Sequence, residues 1–320
     1  MISELFVALI DKQLIANHIQ IEKKDKKNFE ILKYDGIRAR SMRQLPYAIK
    51  CLEQATAIKE DVEALQYLAA AYAESERLDD ARITLDKVLN IAPDNVESLI
   101  SLANICFIQE DYESMDDACQ KAIKADEKNI MAYFLAARAA RGMNNDIQAI
   151  VMLTKAIAQD ETFTPALQLR AEVLWGMRQA NDALADIEAI LTQNAEDEDA
   201  LLLKARIMAA TGQADEAMAL LDKVSELNPF NEKTYLLKGE LLSEQKEIEK
   251  ALDVYTEAIE LMPQNAKFYQ ARGRIKLVQG DKDGSVEDMK KAIELNPENE
   301  KQINGNFDNF NKGTNNVGIY

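Results

Sequence analysis

The chain has little turn chemistry, with 6 Pro and 11 Gly in 320 residues and aromatics at only 6%. A many-stranded sheet protein needs more of both, so a mostly helical chain is left. Histidine is nearly absent, His18 standing alone, and the three cysteines form no CxxC pair. A His-rich metal site and a Ser/His/Asp triad in the body of the chain therefore have no residues to build them. No metal, no cofactor and no catalytic residue is expected, and the chain reads as a non-enzyme. Long apolar runs are also missing. Leu5 to Ile10 is short, follows Glu4 and lacks a basic flank and a small-residue cleavage site, so neither a signal peptide nor a membrane span is read. Cytoplasm is the expected compartment, and few, unpaired-looking cysteines agree with reducing surroundings.

Positive charge is scarce relative to negative: 38 Lys plus Arg face 55 Asp plus Glu, a formal net charge of −17. The imbalance starts after Asp61, because the segment up to that residue holds 11 basic and 9 acidic side chains and the remainder 27 and 46. Such a body repels nucleic acid and anionic membranes, so neither is an expected partner. What the chain does have is a 47% hydrophobic fraction, enough for a continuous core.

That core is periodic. Pro229, Pro263 and Pro297 are spaced by 34 residues, and Pro93 lies four such periods before Pro229. With each Pro at position 32, units begin at Val62, Val96, Ile130, Thr164, Glu198, Glu232 and Ala266, and an eighth, one residue out of phase, begins at Phe29. Position 8 is Gly36, Ala69, Ala103, Ala137, Ala171, Ala205, Gly239 and Gly273. Position 20 is Ala or Ser in all units except for Met115, and position 27 is Ala, Val or Ile throughout. Small side chains on two segments let two helices approach at the short end of the usual interaxial range, about 8 Å. Larger residues fill the rest: position 4 is Leu or Tyr, and position 24 runs Leu52, Leu85, Cys119, Leu153, Ile187, Leu221, Tyr255, Met289. Each unit is thus a helix, a turn near Gly212 or Gly280, and a second helix stopped by the position-32 Pro.

This pattern resembles the tetratricopeptide repeat family over residues 29–299. Departures are the absence of Trp at position 4, Glu60, Glu127, Glu161 and Ala195 at position 32, and Met115 at position 20. The resemblance implies an all-α fold, a right-handed superhelical α-solenoid of eight helix-turn-helix repeats. It also implies a concave groove, lined by the first helices at positions 5, 9 and 12, that binds a peptide or partner protein.

Position 9 reads Arg138, Glu172, Arg206, Glu240 and Arg274 in successive units, an alternation expected to form a ladder of ion pairs. Positions 5 and 12 supply Ile100, Phe107, Phe134, Trp175, Leu202 and Leu236, an apolar floor. Asn104 at position 9 and Arg141 at position 12 complete the candidate contact set, with a carboxylate expected to dock beside the apolar anchors near Arg138 and Arg141. The family's two-carboxylate clamp for chaperone tails is matched only by Asn104 and isolated lysines, so that ligand is not expected. Cys106 and Cys119 face each other across one helix pair and read as reduced core thiols. Residues 280–284, GDKDG, read as an inter-helix turn.

Outside the repeats, residues 1–28 divide into an amphipathic helix (Ile2, Phe6, Leu9, Ile10, Leu14), read as a cap on the array, and a basic linker. An alternative for the linker is a hairpin pairing Ile19 to Glu22 with Phe29 to Leu32. Residues 300–320, Asn- and Gly-rich with Phe307, Phe310 and Tyr320, read as an irregular tail folding back on the last pair. The function expected from all this is a protein-interaction scaffold, monomeric or a weak homodimer. Its alternative is a structural repeat protein that self-assembles through its ends.

Overall fold

The computed structural model describes residues 23–297, and among these there are sixteen α-helices and no strand. The chain divides into two compact units, between Ala166 and Leu167. The first contains α1 (residues 23–41), α2 (Leu45–Ile58), α3 (Val62–Glu74), α4 (Leu78–Ile91), α5 (Val96–Ile108), α6 (Tyr112–Ala125), α7 (Ile130–Gly142) and α8 (Asp146–Gln159). The division falls inside α9 (Thr164–Gly176). The second unit continues with α10 (Ala180–Gln193), α11 (Glu198–Ala210), α12 (Ala214–Leu227), α13 (Glu232–Glu244), α14 (Ile248–Leu261), α15 (Ala266–Gln279) and α16 (Lys282–Leu295). From α3 onward, every first helix begins at the first residue of a 34-residue period.

Capping explains that register. The residue before each first helix is Asp61, Asn95, Asn129, Asp197, Asn231 or Asn265, and each side chain accepts a backbone N–H from the first turn. Phe163, before α9, breaks the series. At position 15 of every unit the backbone turns left-handed: Arg43, Glu76, Glu110, Asn144, Arg178 and Lys246 have φ between 57° and 63°, and Gly212 and Gly280 take the same place. Most of these turns therefore form without glycine, at a local cost of about 1–2 kcal/mol each.

Within each unit, helices pack in their pairs and then onto the next pair, from α2 through to α8 in the first and from α10 through to α16 in the second, with α5 also touching α7 in the first and α13 touching both α11 and α15 in the second. All eight residues at position 20 and all eight at position 27 are buried, as are all eight at position 8. Position 8 faces position 24. A Cβ on Gly36 would lie 2.6 Å from Leu52 Cγ, one on Gly239 would collide with the Tyr255 ring, and one on Gly273 would lie 3.2 Å from Met289 Cε. Glycine thus appears where the position-24 partner fills the space that an alanine methyl takes elsewhere, and the Tyr255 hydroxyl donates to the Leu236 carbonyl at 3.3 Å.

Residues 23–28 belong to α1, where a linker is expected from sequence, and 29–32, expected in the alternative as a hairpin strand, are helical too, which removes the hairpin. Lysine is a good helix former, and Phe29, buried against Ala55 and Ala64, anchors the helix whose first turns the exposed lysines extend. The expected cap at residues 2–14 and the tail at 300–320 lie outside the described residues.

The contact between positions 8 and 24 yields a test. Gly239→Ala is expected to cost about 1–3 kcal/mol by overpacking against Tyr255. Adding Tyr255→Leu restores the pairing of Ala205 with Leu221 one repeat earlier, so the double variant is expected to recover most of the loss. Urea melts of both variants check this, and additive losses would show that the two residues do not share a contact.

Candidate functional site

Positions 5, 9 and 12 recur at helical spacing, so on each first helix they form one stripe, which runs beside the small residue at position 8. On α5 the stripe is Ile100, Asn104 and Phe107, and on the adjacent α7 it is Phe134, Arg138 and Arg141. The Arg138 guanidinium carbon lies 3.7 Å from the centre of the Phe107 ring and 5.9 Å from that of Phe134. Phe107 meets Tyr112 edge-on at 6.3 Å, and Phe134 meets Phe163 edge-on at 5.5 Å. Two rings thus flank the cation and two more pack against those rings, and Ile100, Phe107, Phe134 and Arg138 are half-buried. Burial pulls the Arg138 pKa below its ordinary value, and a guanidinium starting so high stays charged at neutral pH. Cation–π stacking of this kind contributes about 0.5–2 kcal/mol.

Asn104 is exposed, but its amide donates to the Ile100 carbonyl at 3.0 Å, so its donor is held by its own helix. Arg141 is exposed in the last turn of α7, a favourable place for a cation at a helix C-terminus.

In the second unit the expected contact set separates. Trp175 is half-buried in α9, and Glu172 accepts from the Gln168 amide at 3.4 Å. Leu236 is half-buried against the cluster of Tyr235, Tyr255 and Phe268. Leu202 is 7% exposed and packs with Ala205 and Leu221, so it is a core residue and offers a ligand almost no surface. Arg206 is exposed.

The expected ladder is not a set of direct ion pairs in this unit. Neither Arg206 with Glu240 nor Glu240 with Arg274 comes within ion-pair distance. Burial raises the Glu240 carboxyl above its ordinary value, and the fields of Arg206 and Arg274 only partly offset it. Close ion pairs form instead from position 7, which sequence reading left aside. Arg170 and Arg272 reach forward to Asp186 and Asp288 at 2.6 and 2.8 Å, each with both carboxylate oxygens engaged. Lys204 and Lys238 reach back to Glu188 and Asp222 of the preceding helix. The signal was present, because position 7 is Asp35, Leu68, Leu102 and Ala136 in the first unit, with no cation, and a cation in each repeat of the second.

Sequence reading also missed Tyr112 and Phe163. Phe163 had a signal too: it stands where the neighbouring repeats carry an Asp or Asn cap, and giving up such a cap costs about 1 kcal/mol. Cys51, Cys106 and Cys119 are buried free thiols, and burial pushes the Cys119 thiol up to about 12. Among the described residues, no cluster of three or more His, Cys, Asp or Glu is placed to hold a metal ion, and no helix is long and apolar enough to cross a membrane.

Three tetratricopeptide repeat family models match the sequence, at residues 63–95, 96–129, 174–241, 232–265 and 266–299, together more than half of the chain. The chain belongs to the tetratricopeptide repeat family. Among solved structures it is similar to a tetratricopeptide repeat protein from Parabacteroides merdae, with a TM-score of 0.63 and 21% identity over 76% of this chain and 96% of that one. It is also similar to PilF of Pseudomonas aeruginosa (TM-score 0.56, 16% identity, 68% and 99% covered). A third is PilW, a type IV pilus biogenesis factor (TM-score 0.56, 19% identity, 65% and 97% covered). At these identities the likeness is one of fold. Comparison with curated protein sequences finds no match. Tetratricopeptide repeats are protein-interaction scaffolds, and that general role comes to this chain with the family.

The raised carboxyl of Glu240 sets a test of the ladder. A carboxyl with a higher pKa in the folded chain than in the unfolded one binds its proton more tightly when folded, so its ionisation opposes folding as pH rises through that range. The side chain keeps contact with solvent, which screens the effect and keeps it small. Glu240→Gln is therefore expected to be as stable as the parent or slightly more so at pH 7, with the difference closing below about pH 4. A loss at pH 7 that fades with added salt would reinstate an ion-pair ladder.

Proposed function

We propose that this protein is a non-catalytic scaffold that holds an extended or helical peptide of a partner protein on the first-helix face of its repeats. The observation that carries the reading is the cluster on α5 and α7, where Ile100, Phe107 and Phe134 present half-buried apolar surface around a charged group. Aromatic and arginine side chains of this type supply most of the binding energy at protein interfaces. In the second unit, Trp175 and Leu236 offer further half-buried anchors, with Arg206 and Glu172 as polar neighbours.

Peptides selected from a displayed random library on the full-length protein provide the probe, and fluorescence anisotropy measures their affinity. Phe107→Ala is expected to weaken selected peptides by about 2 kcal/mol, roughly thirtyfold, with helical content unchanged. Trp175→Ala is expected to do the same for peptides seated on the second unit. Ile147, on the other helix of its pair and 70% exposed, serves as the control, and Ile147→Ala is expected to change nothing. Loss of binding in Ile147→Ala with normal binding in Phe107→Ala and Trp175→Ala would move the site to the second-helix face. Particles that grow with protein concentration, with no peptide bound on either face, would favour self-assembly through the ends.

A further inference from the structure

Five arginines are half-buried among the described residues: Arg40, Arg82, Arg138, Arg170 and Arg272. Four of them hold a carboxylate, Arg40 with Glu74 at 2.6 Å, Arg82 with Asp111 at 2.8 Å, Arg170 with Asp186 at 2.6 Å and Arg272 with Asp288 at 2.8 Å. Arg138 is the exception. Its nearest described groups are aromatic faces, and no carboxylate or other hydrogen-bond acceptor among the described residues engages it. Stacking on Phe107 occupies one face of the guanidinium plane and leaves its N–H edges, which lie in that plane, without acceptors. A charged group that is partly removed from water with its donors unanswered is unfavourable in the free protein. The same arrangement favours any ligand that supplies the missing acceptor.

The surroundings define that ligand further. Phe163, in place of a helix-capping Asp or Asn, extends the aromatic wall beside Phe134 at a cost in local stability, which is the kind of broken local rule expected at a site. The chain as a whole carries −17 and disfavours a strongly acidic partner at long range. A single carboxylate next to an apolar side chain satisfies both conditions.

We infer that Arg138, stacked on Phe107, is a receptor for one peptide carboxylate whose neighbouring apolar side chain lies against Phe134. This deepens the proposed use of the first-helix face and rests on it. The carboxylate has two sources, the C-terminus of a partner or an Asp or Glu within its chain.

The test uses the full chain and three small probes. N-acetylphenylalanine carries a terminal carboxylate, N-acetyl-aspartyl-phenylalanine amide carries a side-chain carboxylate, and N-acetylphenylalanine amide is neutral. Binding is read from the Nε–H resonance of Arg138, assigned by its loss in Arg138→Lys, and from the phenylalanine ring signals. At least one carboxylate probe is expected to shift both sets saturably, with the amide about tenfold or more weaker. The stronger of the two carboxylate probes identifies the source. Arg138→Met is expected to remove the preference for the carboxylates, read from the ring signals, and Phe107→Leu to weaken all three probes. Equal binding of amide and carboxylates would overturn the inference while leaving the apolar surface intact as a binding face. A carboxylate preference that persists in Arg138→Met would place the anion on another cation and overturn it as well, as would saturable shifts from none of the probes.

Discussion

Everything in the array depends on how closely the two helices of each pair approach. A residue larger than alanine at position 8 would meet the position-24 side chain of the opposite helix, and the three glycines there show how little room remains. Once that contact is made, positions 20 and 27 are carried into the same seam, and one face of each helix is committed to its partner. Positions 5, 9 and 12 then fall along the border of that face and beyond it. The first-helix stripe is therefore a consequence of the small-residue seam, and its side chains vary more than those of the seam, although packing claims some of them, as it does Leu202.

That division explains why so much of the fold was legible in the sequence. Burial at positions 8, 20 and 27 demands small or medium apolar residues in every repeat, so the register is written eight times. Helix starts are legible for a similar reason, because the last residue of a period, Phe163 excepted, offers a side-chain acceptor to the first turn from α3 onward. The left-handed turn at position 15 was hidden, since Arg43, Glu76, Glu110, Arg178 and Lys246 adopt a conformation that their identities do not announce. Residues 23–28 were misread for want of apolar periodicity, although a lysine-rich segment needs only one buried anchor, Phe29, to continue a helix outward.

The candidate site was legible in part, and the errors share a cause. Sequence position placed Phe107, Phe134 and Arg138 together correctly, because a stripe on one helix must face the same stripe on the next. It failed for Leu202, since a position-5 side chain can turn either toward the groove or into the seam, and Leu202 joins the core. It failed for the charge ladder because alternating signs at position 9 state which residues are near, not whether their long side chains meet. Glu240 feels Arg206 and Arg274 without touching either, and the protein around it works against its charge.

The charged residues that do touch show how the two units differ. In the first unit position 7 is Asp35 in the first repeat and then apolar, Leu68, Leu102 and Ala136. In the second it is Arg170, Lys204, Lys238 or Arg272, and every one is tied to a carboxylate on a neighbouring helix. Removing one partner of a buried pair such as Arg272 with Asp288 strands the other charge, at about 3–5 kcal/mol, so these cations are committed to structure. Arg138 is set in the opposite way. It sits at position 9 of a repeat whose position 7 is alanine, its ring contacts hold it in place without neutralising it, and no acceptor among the described residues engages its hydrogen-bonding edges. Among the described residues, acids answer the other half-buried arginines and rings answer this one, so the same residue type is committed to structure in four places and left with its charge unmatched in the fifth.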